Sequence, residues 1–144
     1  MRTLSVILTL LCLLAASCGL SDRYEIAFDH SNGTVKTRGA KISLAEEGNQ
    51  YTATLTDRVS SVRLSWTVED KNPVKWQGER FRGTHIKINN APFSCEFRHG
   101  MVEILIEITD VTGRTVSGKF SGNIGIGESA RTIDNGVFRA YVEL

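Results

Sequence analysis

Apolar and polar residues alternate in short runs along most of the chain, which is the pattern of β-strands with one buried face. Gly, Asn and Asp separate the runs, and no segment of useful length after residue 23 has a helical period. The predicted inward-facing positions are Ala40, Ile42, Leu44, Tyr51, Ala53, Leu55, Val62, Leu64, Trp66, Val68, Ile86, Ile88, Val116 and Phe120. About ten short strands of this kind predict a single all-β domain over residues 24–144, an antiparallel sandwich or barrel.

The dipeptide His99-Gly100 is typical of a tight turn, and it predicts a hairpin whose register can be written down. The apolar pairs would be Phe97 with Val102, Cys95 with Ile104, and Phe93 with Ile106. Glu96 would oppose Glu103 on the outer face, and Glu107 would lie in solvent.

Two Asn-Gly dipeptides predict further hairpins, because both central residues of such a turn need positive φ. Around Asn135-Gly136, Ile133 would oppose Phe138. The apolar face would continue through Ala140, Val142 and Leu144 and hold the chain end in the sheet. Around Asn32-Gly33, Asp29 would oppose Lys36, and the inner face would carry Ile26, Phe28 and His30.

The N-terminal residues form a separate apolar segment. Arg2 precedes a mostly apolar run from Leu4 to Ala16, and small residues follow it. A membrane-spanning helix needs about 20 apolar residues, so this run is too short to span. A charged start, a short apolar middle and a small-residue end predict a signal peptide over residues 1–17.

Leu14, Ala15, Ala16, Ser17 and Cys18 resemble the lipobox of bacterial lipoproteins. The resemblance implies a Cys18 that carries fatty acyl chains such as palmitate and anchors the protein in a membrane, with residues 18–23 as a short tether. Gly19 carries no charge that would signal retention in the inner membrane, which favours the outer membrane. The alternative is that Ala15 and Ser17 form an ordinary small-x-small cleavage site, which would release a soluble secreted or periplasmic protein.

Cysteine usage and charge narrow the possibilities further. Of three cysteines, Cys12 leaves with the signal peptide and Cys18 would be lipidated, so Cys95 has no partner for an intramolecular disulfide. Without Arg2 the 17 basic residues become 16, equal to the 16 acidic ones. A net charge of zero argues against nucleic acid as a partner.

The segment from Val116 to Phe138 resembles the end of a family of small Bacteroidetes-type lipoproteins of unknown function, which close with an "SGTFSG … TITNGxF" pattern. The matching residues are Ser117, Gly118, Phe120, Ser121, Gly122, Thr132, Ile133, Asn135, Gly136 and Phe138. The resemblance implies the same fold class and cellular address, and the family brings no established chemistry.

No catalytic, metal or cofactor site is predicted. His30, His85 and His99 lack the spacing of a metalloprotease helix. Cys95 faces the core in the predicted register while His99 lies in a turn. The glycines at 122, 125 and 127 do not form G-x-G-x-x-G, and neither G-x-S-x-G nor S-x-x-K is present.

The best candidate for binding is the segment from Lys71 to Lys87, where Trp76 lies among Lys75, Arg80 and Arg82. A Trp with neighbouring cations can stack on a sugar ring or hold an anionic group. The sequence therefore predicts a non-catalytic cell-envelope lipoprotein that binds an unknown envelope protein or glycan, or has a structural role. The alternative is a β-barrel carrier of a small apolar ligand or glycan, with Trp66, Trp76 and Tyr51 at the barrel mouth.

Overall fold

The computed structural model describes residues 23–144, which form ten β-strands and two short 3₁₀ helices. The predicted signal peptide, Cys18 and most of the tether lie outside the described residues. The strands are β1 Glu25–His30, β2 Gly33–Arg38, β3 Lys41–Glu47, β4 Gln50–Thr56, β5 Val62–Val68, β6 Arg80–Asn90, β7 Phe93–Phe97, β8 Val102–Thr112, β9 Thr115–Ile124 and β10 Arg131–Glu143. The 3₁₀ helices are Pro73–Trp76 and Gly127–Ser129.

Seven of these strands close into a barrel in the order β10-β3-β4-β5-β6-β8-β9, with β9 returning to β10. The structure therefore confirms the predicted all-β domain of about ten strands. Nine of the pairings are antiparallel, and β10 runs parallel to β3 from Tyr141 to Glu143.

The remaining strands extend the barrel at two seams, because β10 and β6 each change partner along one edge. β10 pairs with β1 through residues 134–139 and then with β3. β6 pairs with β8 at Arg80–Arg82 and with β7 from Ile86 onward. The extra strands meet where the ring of His30 stacks on Phe93, with centroids 4.3 Å apart.

Apolar side chains from all ten strands form one continuous core, to which the barrel and its extra strands both contribute. The largest fully buried side chains include Trp66, Phe28, Leu55, Leu64, Ile104 and Ile106. The predicted inward positions from Ala40 to Phe120 are buried or half-buried, whereas Leu144, predicted on the same face as Val142, is exposed. The alternation of apolar residues thus predicted the core correctly.

The predicted hairpin around His99-Gly100 is wrong in its pairing. The chain does turn there, with the amide of Met101 donating to the carbonyl of Arg98 at 3.0 Å. However, β7 pairs with β6, so that Cys95 lies opposite Ile88 and Glu96 opposite Lys87. The apolar face of β7 would suit either neighbour, and the pairing with Lys87 avoids the Glu96–Glu103 repulsion of the predicted register.

The predicted turn at Asn135-Gly136 is also wrong, because both residues lie inside the long strand β10. Asn135 has φ 52°, as predicted, but it serves a β-bulge between Ile133 and Gly136 opposite β9. Ile133 and Phe138 therefore share the inner face of one strand. That face continues through Ala140 and Val142, and Glu143 still pairs with Ser43, whereas Leu144 is 67% exposed.

The first hairpin forms with its turn one residue earlier than predicted. His30 pairs with Gly33, so the loop is Ser31-Asn32 and Lys36 lies opposite Ala27. Asp29 opposes Thr34, whose hydroxyl donates to it at 2.7 Å. The shift moves each partner by two positions, so Ile26 and Phe28 keep their predicted inward direction.

Candidate functional site

One end of the barrel is covered by the connection between β5 and β6, residues 69–79, which we call the plug. It contains the 3₁₀ helix Pro73–Trp76, whose start is capped by Asn72 through its side-chain oxygen and the amide of Val74. The plug is fastened to β8 by backbone hydrogen bonds from Gly78 to Ile108 and from Ile108 to Glu79. It therefore forms a fixed cover over the barrel interior.

Trp76 is the residue that seats the plug in the core. It is 2% exposed, and its indole N–H donates to the carbonyl of Asp70 at 2.8 Å. An indole that is buried and hydrogen-bonded in this way offers no face for a ligand to stack on.

The four residues of the predicted patch do not converge. Lys75 and Trp76 border a cavity of about 510 Å³ whose other charged residues are Glu69, Asp70 and Glu79. Arg80 and Arg82 lie on the outer face of the barrel, opposite Glu107 and Leu105 of β8. The cavity beside Trp76 is thus acidic where the sequence predicted a basic surface, and the ligand of the patch stays a prediction.

A second cavity of about 480 Å³, the mouth cavity, borders the plug at Lys71 and Asn72. Its apolar lining comes from Leu44, Tyr51 and Leu144, at the ends of strand faces that otherwise point into the barrel. Polar groups surround it, contributed by Glu46, Lys71, Asn72 and Glu143. An apolar surface with a few polar groups is the usual composition of a small-molecule site.

Of the three residues predicted at the mouth of a carrier, only Tyr51 borders this cavity. Trp66 is fully buried between Phe81 and Phe138, at centroid distances of 6.4 and 6.2 Å. Its indole N–H finds no hydrogen-bond acceptor among residues 23–144. Trp66 therefore belongs to the packed core.

A third depression of about 420 Å³ lies on the outer face of β4, β5 and β6, and we call it the hydroxyl groove. Its lining is Glu47, Thr52, Thr54, Arg63, Ser65, Thr67, Thr84, His85, Arg98 and His99. Ser65 is buried at its base, where its hydroxyl and that of Thr54 are 3.0 Å apart. Sequence reasoning missed the groove because its residues come from separate strands and carry no motif.

Glu96 beside the groove lies in a positive environment. Its carboxylate shares a hydrogen bond with His85 Nε2 at 3.1 Å and lies 3.7 Å from Arg98. The hydrogen bond to His85, with smaller contributions from the charges of Lys87 and Arg98, lowers the pKa of Glu96. Glu96 is therefore an anion that its neighbours hold in place.

Cys95 and the three histidines do not form a single cluster. Cys95 is half-buried, and burial raises the pKa of its thiol, so little of it is thiolate at neutral pH. His30 Nδ1 accepts from the amide of Asn32 at 3.2 Å, far along the chain from the groove that His85 and His99 line. Within residues 23–144, no three His, Cys, Asp or Glu side chains are grouped to hold a metal ion.

In the same part of the chain, no helix is long and apolar enough to cross a membrane. No protein-family model, curated protein or solved structure matches the chain.

Proposed function

We propose that the chain is a cell-envelope lipoprotein, anchored through Cys18, that works without catalysis as a binding or structural component. The observation that carries the proposal is the filled barrel interior. Trp66, Ile104 and Ile106 occupy the space that a ligand would need in an open barrel, and each is at most 1% exposed. A barrel packed in this way presents its outer surface and its rim for contact.

The surface supports the same proposal. The charged and hydroxyl side chains with defined partners, such as Glu96 with His85 and Thr54 with Ser65, lie on the outside of the strands. In the hydroxyl groove the hydroxyl of Ser65 pairs with that of Thr54 at 3.0 Å, and His85 pairs with Glu96 at 3.1 Å. The pairing of hydroxyl and imidazole with other partners supports a role without catalysis, since an activated nucleophile needs a hydrogen bond to its base. The protein therefore acts, in this proposal, through partners that bind its outer surface.

The test of this proposal is crosslinking of the tagged, full-length protein in the membranes of its own host, followed by purification and mass spectrometry. We expect a stoichiometric envelope protein or glycan, and an acylated N-terminal peptide that begins at Cys18. The matched control is Cys18→Ala, which we expect to accumulate as unprocessed or water-soluble protein. A mature, detergent-requiring Cys18→Ala protein would refute the anchor.

A second candidate function, a carrier of a small amphipathic ligand, is favoured by the mouth cavity alone. Its lining of Leu44, Tyr51 and Leu144 could hold an apolar group, and the carboxylates of Glu46 and Glu143 lie at its edge. If the protein is a carrier, native mass spectrometry will detect a bound small molecule that Tyr51→Ala loses and Thr67→Ala retains. Identical spectra for both variants, without added mass, would leave the first proposal standing.

A further inference from the structure

Tyr24 holds the beginning of the described chain against the barrel. The carbonyl of Tyr24 accepts from the amide of Gly39 at 2.7 Å, and its hydroxyl is 3.3 Å from that of Thr115. Its ring lies 6.2 Å from that of Tyr141 on the outer face of β10. The position at which the tether meets the barrel is thus set by contacts to three separate strands or loops.

Arginines surround this point. Arg114 donates to the hydroxyl of Tyr141 at 3.1 Å. Arg58 packs against Gly39, because a Cβ added at position 39 would lie 2.8 Å from the Cβ of Arg58. Arg23 precedes Tyr24 in the chain. All three arginines are exposed, as is Val59 at 78%. We call this surface, made of Arg23, Tyr24, Arg58, Val59, Arg114 and Tyr141, the Tyr24 patch.

The carboxylates near the patch have other partners. Glu25 lies 3.9 Å from Lys36, and Glu143 lies 3.5 Å from Lys41. Asp57 is buried and accepts from Ser61 and from the amide of Val62. Among residues 23–144, Arg23, Arg58 and Arg114 form no ion pair, so the Tyr24 patch is a positive surface.

The tether determines what this surface can face. Four residues lie between Cys18 and Arg23, and the five Cα-to-Cα steps of that extended chain reach at most about 18 Å. An acylated Cys18 would therefore hold the Tyr24 patch beside the bilayer in every orientation that the tether allows. Tyrosines, arginines and an exposed apolar residue are the side chains that suit the headgroup region.

We propose that the Tyr24 patch docks onto anionic lipid headgroups and sets the orientation of the barrel on the membrane. This inference rests on the proposed lipid anchor for its geometry, but the charge complementarity can be tested without the acyl chains. One arginine at an anionic surface contributes about 1 kcal/mol, which corresponds to a roughly fivefold change in membrane partitioning. The patch thus adds a second, salt-sensitive membrane signal to the acyl chains.

The test uses the mature chain from residue 18 with Cys18→Ser, which keeps the whole barrel because residues 23–144 build it. Its partitioning is measured by flotation with phosphatidylcholine vesicles, with and without phosphatidylglycerol, at low and high salt. We expect binding only with phosphatidylglycerol, a loss at high salt, and a roughly fivefold weaker partitioning for each of Arg58→Gln and Arg114→Gln. Circular dichroism verifies that both variants are folded.

The matched control is Arg63→Gln, which removes an exposed arginine from the hydroxyl groove on another face. We expect it to leave partitioning unchanged. Equal partitioning to both vesicle types, or an equal loss with Arg63→Gln, would overturn the docking proposal. A protein crosslinked in host membranes to a photoreactive residue at position 58, with no lipid adduct, would overturn it in favour of a protein partner.

The intact mass of the wild-type protein separates the two proposals. An unacylated N-terminus with phosphatidylglycerol-dependent flotation would refute the anchor and keep the patch as a membrane-binding surface. An acylated N-terminus without such flotation would keep the anchor and refute the docking.

Discussion

The ring of Phe138 lies directly over Gly118, its register partner across β9 and β10. A Cβ at position 118 would lie 2.5 Å from Cζ of Phe138. The arrangement is repeated two pairs away, where the ring of Phe120 covers its partner Gly136. Gly118 and Gly136 thus form two interlocked pairs with Phe138 and Phe120, in which each missing side chain makes room for a ring.

Gly118→Ala will destabilise the fold, because its methyl group would overlap both the Phe138 ring and the carbonyl oxygen of Glu107. We expect a loss of about 1–3 kcal/mol, the usual cost of overpacking a filled core. Chemical denaturation followed by tryptophan fluorescence measures it. Ser121→Ala, at an exposed position of the same strand, serves as the control. Equal unfolding midpoints for the two variants would mean that the ring moves aside freely.

Glu107→Lys will lower stability by about 1 kcal/mol, as like charges opposite one another do. Glu107 is half-buried between Arg80 on one neighbouring strand and Lys119 on the other, so the substitution creates a row of three cations. Glu103→Lys is the matched control, since Glu103 is exposed and lies opposite Asn123. The difference should shrink as salt is added, and a difference insensitive to salt would contradict the charge explanation.

Trp76→Ala will unfold or strongly destabilise the plug end of the barrel, at a cost of about 3–5 kcal/mol for a buried aromatic side chain. Val74→Ala, on the same 3₁₀ helix at a position 60% exposed, should change stability by less than about 0.5 kcal/mol. Thermal unfolding compares the two. A stable Trp76→Ala protein that has lost only a ligand would show that Trp76 belongs to a binding patch.

His85→Ala will raise the pKa of Glu96 toward the ordinary glutamate range, because it removes the main cause of the lowered pKa. The lowered pKa means that Glu96 stabilises the fold above the ordinary glutamate pKa. This contribution is lost as the pH falls through the pKa of the folded protein. Carboxyl NMR titration follows the change. His99→Ala, which borders the same groove, should leave the titration of Glu96 unaltered.

The faces of the strands could be predicted from the sequence, whereas several of their neighbours could not. Alternation fixes which side of a strand is apolar, and it placed Ile42, Leu64 and Ile104 in the core correctly. The same alternation fits any neighbouring strand with an apolar face, so it could not tell which strand pairs with β7. The sequence predicted that Cys95 pairs with Ile104, and the structure pairs it with Ile88. Positive φ at Asn135 was also predicted, but a bulge uses it as readily as a turn does.

The candidate sites were harder to predict because they depend on tertiary position. Trp76 and Arg80 are neighbours in sequence, yet the plug turns one inward while β6 carries the other outside. The Tyr24 patch brings Arg58 and Arg114 close to Tyr24 through contacts between strands and loops that are distant in sequence. No local spacing in the sequence encodes that proximity.

The parallel pairing of β10 with β3 gives this barrel a particular order of assembly. Lys41 and Glu143, which form an ion pair across that seam, are 102 positions apart in the chain. Closure must therefore wait until β10 is available, and long-range pairings of this kind fold slowly. While β10 is missing, β9 and β3 both present open edges, so the unfinished chain is more prone to aggregate than the closed barrel.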